Sequence, residues 1–116
     1  MNFNEMNLPT EILGNLTRMG ILIPTEIQKQ SIPSAIQGSD ILASSQTGSG
    51  KTLAYLLPAI TKILQERAKI LVLVPTRELA VQVCAALNKT AGRIKISGTA
   101  IIGGEPFGKQ VSKLMT

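Results

Sequence analysis

The stretch at residues 44–52 reads SSQTGSGKT and decides how the rest of the chain is interpreted. It ends with the spacing of a phosphate-binding loop, G-x-x-x-x-G-K-[ST], in which backbone N–H groups wrap a phosphate. Serine stands at position 45, where that pattern has its first glycine, and serine is small enough for a tight loop. The residues predicted to bind nucleotide are Ser45, Gln46, Thr47, Gly48, Ser49, Gly50, Lys51 and Thr52.

Individual residues of this loop have distinct roles in binding phosphate. Gly48 and Gly50 permit backbone dihedrals that side chains disfavour, and the N-terminus of a following helix adds partial positive charge. Lys51 is expected to reach the β- and γ-phosphates, and the Thr52 hydroxyl to ligate Mg²⁺. The alternative is a Gly/Ser turn between a strand and a helix that happens to end in Lys-Thr.

Apolar runs at 41–43, 70–74 and 94–102 are typical of strands buried on both faces. Segments with helical period lie between them, and strand and helix in alternation predict an α/β fold with a parallel sheet. The residues that carry the helical period are Leu53, Leu56, Leu57, Ile60, Ile63 and Leu64, and then Leu79, Val83, Ala86 and Leu87.

Two further helices are predicted before the sheet. The first runs from about Pro9 to Met19, with Gly20 as its stop. The second has Thr25 as its N-cap, and Pro33 is expected to break or kink it.

Composition excludes some classes of site and function. The chain has 116 residues, one cysteine and no histidine, so neither an internal disulfide nor a His-based metal site is possible. No apolar run approaches the roughly 20 residues that span a bilayer, and we expect a cytoplasmic protein without membrane contact, with Cys84 buried. Residues 59–116 carry nine Lys/Arg against three Glu, a net +6, whereas residues 1–58 carry −1. That asymmetry fits nucleic acid or merely solvated lysines.

Two stretches flanking the loop add to the pattern. Residues 20–28 read GILIPTEIQ, with Phe3 seventeen residues before the glycine, and residues 75–80 read PTRELA. With the loop, they resemble the DEAD-box RNA helicase family, whose phosphate loop usually begins with alanine where Ser45 stands. The resemblance implies a RecA-like fold, ATP and Mg²⁺ as cofactors, RNA as partner, and catalytic roles for Lys51 and Thr52.

The resemblance implies that Gln28 and Phe3 contact the adenine base of ATP. A glutamine amide offers a donor beside an acceptor, which pairs with adenine N6 and N7 but not with the corresponding edge of guanine. Phe3 is expected to stack on the base. Without the phosphate loop, Gln28 would be taken as a surface helix residue and Phe3 as a core anchor.

The resemblance assigns RNA backbone contacts to Pro75, Thr76, Arg77, Gly103 and Gly104. Thr76 as an N-cap would expose the N–H groups of the next turn, and Arg77 adds a cationic fork for phosphate. Such contacts would not depend on RNA sequence. The alternatives are a plain helix cap with an Arg77–Glu78 surface pair, and an ordinary turn at the two glycines.

The resemblance covers only part of the family's first domain, divided as a Q-motif region at 1–30 and an incomplete ATP-binding domain at 31–116. Asp40 is the only aspartate, so the Asp-Glu-Ala-Asp box is not encoded in these residues. We therefore expect part of an ATP-dependent RNA helicase that binds nucleotide and RNA without turnover by itself. A non-catalytic binding module, another small P-loop NTPase and a DNA helicase are the alternatives, and protein partners are not indicated.

Overall fold

The computed structural model describes residues 1–46, 48–96, 98–103 and 108. Within these residues, a short 3₁₀ turn at Phe3–Glu5 precedes four α-helices: α1 (Thr10–Arg18), α2 (Glu26–Ile36), α3 (Lys51–Glu66) and α4 (Arg77–Ala91). The chain divides into two compact units, Met1–Ile70 and Leu71–Thr116. The phosphate loop lies in the first unit, and the PTRELA stretch lies in the second.

Helix α1 ends at a glycine in the left-handed region. Gly20 has φ +76°, its N–H donates to the Thr17 carbonyl, and the N–H of Ile21 donates to the Leu16 carbonyl at 2.9 Å. These two bonds satisfy carbonyls that a helix end otherwise leaves without partners. The chain therefore leaves α1 at Gly20, as predicted.

Thr25 is the N-cap of α2, as predicted. Its side chain accepts a hydrogen bond from the Gln28 N–H. Pro33 does not break the helix, which continues to Ile36 and closes with Gly38 at φ +98°. Proline removes one helical hydrogen bond, but α2 packs against α3, and such packing can outweigh a local helix breaker. Of the two expected effects of Pro33, the break is therefore wrong, and the kink stays a prediction.

The core of the first unit is built from its N-terminal segment and its three helices. The spacing of the apolar residues places one face of each helix toward the core. The helical periodicity of the sequence predicted this apolar face for α3. The buried apolar residues are Phe3, Met6, Leu8, Ile12, Leu16, Ile32, Ala54, Leu56, Leu57 and Ile60.

The predicted parallel sheet is not confirmed in the described part of the chain, where no residue is in a strand. The prediction that the apolar runs are buried on both faces is wrong there: Leu42 is fully exposed, and Leu71 and Leu73 are 81% and 84% exposed. A strand is a segment whose backbone pairs with a neighbouring strand, and no such strand is formed at 41–43, at 70–74 or in the described part of 94–102. The side chains of Leu42, Leu71 and Leu73 are therefore open to solvent.

The second unit contains α4, which buries little of its surface. Only Thr90 and Ala91 are buried in this helix, and Leu79, the start of the predicted apolar stripe, is 39% exposed. Cys84 is half-buried, so its predicted burial is wrong. Among the described residues, no helix combines the length and apolar character needed to cross a membrane.

Truncating Leu57 tests the core of the first unit. Leu57 is 0% exposed, so Leu57→Ala should lower the free energy of unfolding by about 2–5 kcal/mol through lost burial and a new cavity. Leu64→Ala is the matched control, since Leu64 lies on the same helix at 37% exposure and should cost less than half as much. Urea unfolding followed by circular dichroism measures both, and equal losses would contradict the described core.

Candidate functional site

The chain enters α3 through two glycines in the left-handed region. Gly50 is the N-cap of α3 with φ 90° and ψ 19°, and Gly48 has φ +84°. L-residues with a Cβ rarely adopt these dihedrals, so glycine is what lets the loop turn into the helix. Lys51 and Thr52 become the first two residues of α3, with Lys51 exposed and Thr52 half-buried.

Gln28 connects the start of α2 to the start of α3. Its Oε1 accepts from the Thr25 N–H at 2.9 Å, and its Nε2 donates to the Gly50 carbonyl at 3.1 Å. The same carbonyl accepts the Ala54 N–H at 3.2 Å. The side chain is 2% exposed, so it is a buried polar group with both ends satisfied.

Gly50 lies against the side chains of Gln28 and Thr25, which leave no room for a methyl group at this position. A Cβ on Gly50 would lie 2.5 Å from Gln28 Nε2 and 2.7 Å from Thr25 Oγ1. Both distances are shorter than nonbonded contacts allow. The loop end and the first turn of α2 are therefore interlocked.

The other end of the loop is held by Ser45 and its neighbours. Lys51 Nζ donates to the Ser45 carbonyl at 2.5 Å, and the hydroxyls of Ser45 and Ser49 lie 2.6 Å apart. The Ser49 N–H donates to the carbonyl of Gln46, whose side chain is exposed. Thr47, also predicted to bind nucleotide, lies outside the described residues.

Phe3 is 5% exposed within the core of the first unit. That burial agrees with the alternative of a core anchor. Stacking on a base stays a prediction.

In the second unit, the PTRELA stretch opens α4. Pro75 is exposed, and Thr76 is the N-cap, with its Oγ1 accepting the Leu79 N–H at 3.2 Å. Arg77 Nη2 donates to the Gly103 carbonyl at 2.5 Å, which brings two predicted RNA-contacting residues together. Gly104 lies outside the described residues.

The sequence analysis predicted neither the bonds of the Gln28 side chain nor the Ser45–Ser49 pair. Thr25 and Gln28 have the T-x-x-Q spacing of a capping box, a signal that could have placed the Gln28 side chain at its own helix start. The pairing of the Ser45 and Ser49 hydroxyls had no comparable signal.

A magnesium ion fits this loop only together with phosphate. In the described ranges, no three His, Cys, Asp or Glu side chains lie together as a possible metal site. Mg²⁺ commonly takes one or two protein oxygens, waters and substrate phosphates, so the Thr52 hydroxyl suits one of those positions.

The sequence matches the family model described as DEAD/DEAH box helicase over residues 25–116. The chain belongs to this family. It is 43% identical over 119 residues to DEAD-box ATP-dependent RNA helicase 20 of Oryza sativa subsp. japonica, an alignment that covers 97% of this chain and 24% of that protein. It is 49% identical over 92 residues to DEAD-box ATP-dependent RNA helicase CshC of Bacillus cereus, covering 78% of this chain and 24% of that one.

Solved structures of DEAD-box helicases share the fold. The crystal structure of the RNA helicase Prp28 from Chaetomium thermophilum bound to ADP superposes with a TM-score of 0.85 at 37% identity. The match covers 97% of this chain and 29% of that one. The chain thus has the fold of part of a DEAD-box helicase, and spans about a quarter of the length of the relatives it matches.

Adding a methyl group at Gly50 tests the interlock with α2. Gly50→Ala should lower the free energy of unfolding by more than about 1–2 kcal/mol, because the left-handed backbone disfavours alanine and the new Cβ meets Gln28. Gly14→Ala is the control, since Gly14 lies within α1 and its Cβ would meet only Arg18 at 3.9 Å. That variant should be neutral or up to about 1 kcal/mol more stable. Urea unfolding compares the two, and equal stabilities would contradict the interlock.

Proposed function

We propose that the chain supplies the ATP-binding part of an ATP-dependent RNA helicase of the DEAD-box type, together with a contact to the RNA backbone. The observation that carries this proposal is the loop at the start of α3, which is held by Gln28 from α2. Family membership and the likeness to ADP-bound Prp28 support it.

Phosphate recognition rests on the start of α3. The first turn of an α-helix leaves N–H groups without intrahelical partners, and its dipole favours negative charge. Lys51 adds a full positive charge beside that turn, and exchanging the Ser45 carbonyl for a phosphate oxygen would give it a stronger bond, between two groups of opposite charge. When Mg²⁺ accompanies the nucleotide it neutralises phosphate charge, and Thr52 is the residue that would hold it.

Adenine recognition rests on the hydrogen-bonding groups of the Gln28 amide that are not already used within the protein. The bonds to Thr25 and Gly50 use one acceptor site and one N–H, which leaves one of each. A donor and an acceptor on one amide match adenine N7 and N6. Because Gln28 is 2% exposed, the base has to reach it through a small opening of the surrounding segments.

The RNA contact rests on Arg77 and the capped start of α4. Thr76 caps the helix, and Arg77 joins that helix start to the turn at Gly103. Guanidinium groups and helix N-termini both bind phosphate oxygens, and the net +6 of residues 59–116 adds general attraction. We expect binding that is independent of RNA sequence.

We also propose that the segments at 41–43, 70–74 and 94–102 form an α/β RecA-like sheet. We further propose domain limits of 1–30 and 31–116 and a cytoplasmic location. Family membership and the alternation of these segments with α3 and α4 support the sheet.

A second candidate function is nucleotide and RNA binding without turnover by these 116 residues. It is favoured by one observation: Asp40 is the only aspartate and is exposed. Phosphoryl transfer needs a carboxylate that positions the metal or the attacking water. Release of inorganic phosphate from ATP distinguishes the two functions.

Nucleotide-dependent melting tests the adenine and phosphate assignments. At 100 times its Kd, ADP should add about 2.7 kcal/mol of stability, a rise in melting temperature of roughly 10 °C, whereas GDP should add little. Lys51→Ala should remove most of the ADP effect, and Lys69→Ala, an exposed lysine beyond α3, should keep it. Thermal unfolding by circular dichroism measures all of these. Equal shifts with ADP and GDP would contradict adenine reading, and no shift with either would contradict the proposed function.

Single-stranded RNA binding tests the second unit. Arg77→Ala should weaken oligouridine binding about three- to tenfold at low salt, because it removes a phosphate-binding fork and the bond to Gly103. Arg93→Ala removes the same charge just after α4 and should cost less than twofold. Fluorescence anisotropy at several salt concentrations should show a shallow slope, since few phosphates are contacted. Equal losses in the two variants would indicate general charge alone.

A further inference from the structure

Two serine side chains close the phosphate loop upon itself. The Oγ atoms of Ser45 and Ser49 lie 2.6 Å apart, and either hydroxyl can be the donor. Both residues are half-buried, so solvent competes only partly for these hydroxyls. The bond spans four residues and links the first part of the loop to the residue before the α3 N-cap.

Lys51 adds to this closure. Its ammonium group donates to the Ser45 carbonyl at 2.5 Å and points back across the loop. The two hydroxyls are thus hydrogen-bonded to each other, and the ammonium is hydrogen-bonded to the Ser45 carbonyl. A phosphate that used the same hydroxyl hydrogens or the same ammonium N–H would replace these bonds.

We propose that the Ser45 hydroxyl is a latch that keeps the phosphate loop closed and lowers its affinity for nucleotide. The proposal rests on the proposed function, since it concerns phosphate entry to the same loop. In this proposal, the Ser45 hydroxyl stabilises only the closed loop. The Lys51 ammonium forms bonds in both the closed and the open loop. Ser45 is therefore a positioning residue, acting through Ser49.

The size of the effect follows from a population shift. If only a fraction of the loops is open, the apparent Kd is the intrinsic Kd divided by that fraction. Removing one neutral hydrogen bond from the closed form should enlarge the open fraction and tighten ADP binding about two- to tenfold. The gain should appear in the association rate, because the contacts that hold ADP in the open loop are unchanged.

The test compares Ser45→Ala with Ser44→Ala in the 116-residue chain, using ADP as the probe. Ser44 is the neighbouring serine, is exposed, and forms no part of the pair. Equilibrium titration gives the Kd, and stopped-flow mixing with a fluorescent ADP gives both rate constants. Ser45→Ala should bind ADP about two- to tenfold more tightly through faster association, with Ser44→Ala unchanged.

A second comparison guards against an indirect effect of the substitution. In a Ser49→Ala background the partner hydroxyl is missing, so adding Ser45→Ala should change the association rate by less than twofold. A full effect in that background would overturn the latch, because Ser45 would then act without Ser49.

The remaining outcomes separate the latch from the proposed function. If the unsubstituted chain binds ADP and Ser45→Ala binds it equally, the latch is overturned and nucleotide binding stands. If Ser45→Ala binds ADP more weakly with faster dissociation, the hydroxyl contacts phosphate directly and the latch is again overturned. If neither chain binds ADP, both proposals fail.

Discussion

The hydrogen bond from the Gln28 amide to the Gly50 carbonyl is the constraint on which the candidate site depends. It joins residues 22 positions apart and fixes the start of α3 against the start of α2. Because Gln28 is 2% exposed, breaking this bond would leave its Nε2 group buried without that partner, at a cost of about 1–3 kcal/mol, whereas the Gly50 carbonyl would still accept the Ala54 N–H. The position of the phosphate loop is consequently set by a helix that precedes it.

Local signals in the sequence predicted what is local in the structure. Gly20 marks the end of α1, Thr25 caps α2 and Thr76 caps α4, because caps and stops are chosen by residues within one turn. The glycines of the phosphate loop were predicted for the same reason, since the need for a left-handed backbone is a property of the single residue.

Contacts between distant residues could not be predicted in this way. The family resemblance suggested that the Gln28 side chain reads a base, whereas its amide also bonds to a carbonyl in another segment, a partner that the resemblance did not specify. The apolar runs containing Leu42 and Leu73 suggested buried strands, but burial depends on neighbouring segments, and in the described residues both side chains are exposed. A periodic pattern indicates which face could be buried, and only the fold decides whether anything covers it.

The two ends of the phosphate loop are restrained with unequal strength, which indicates where it would open. At the Gly50 end, a buried amide holds the carbonyl and Thr25 and Gln28 crowd the backbone, so movement there would disturb α2 as well. At the Ser45 end, the restraints are a neutral hydroxyl pair that is half-buried and an exposed lysine bond, both of which water can partly replace. Opening at the Ser45 end leaves α2 and the first turn of α3 in place. Phosphate would then meet a helix start that is already positioned, and the phosphate itself, as distinct from the base, would require only the Ser45 side of the loop to move.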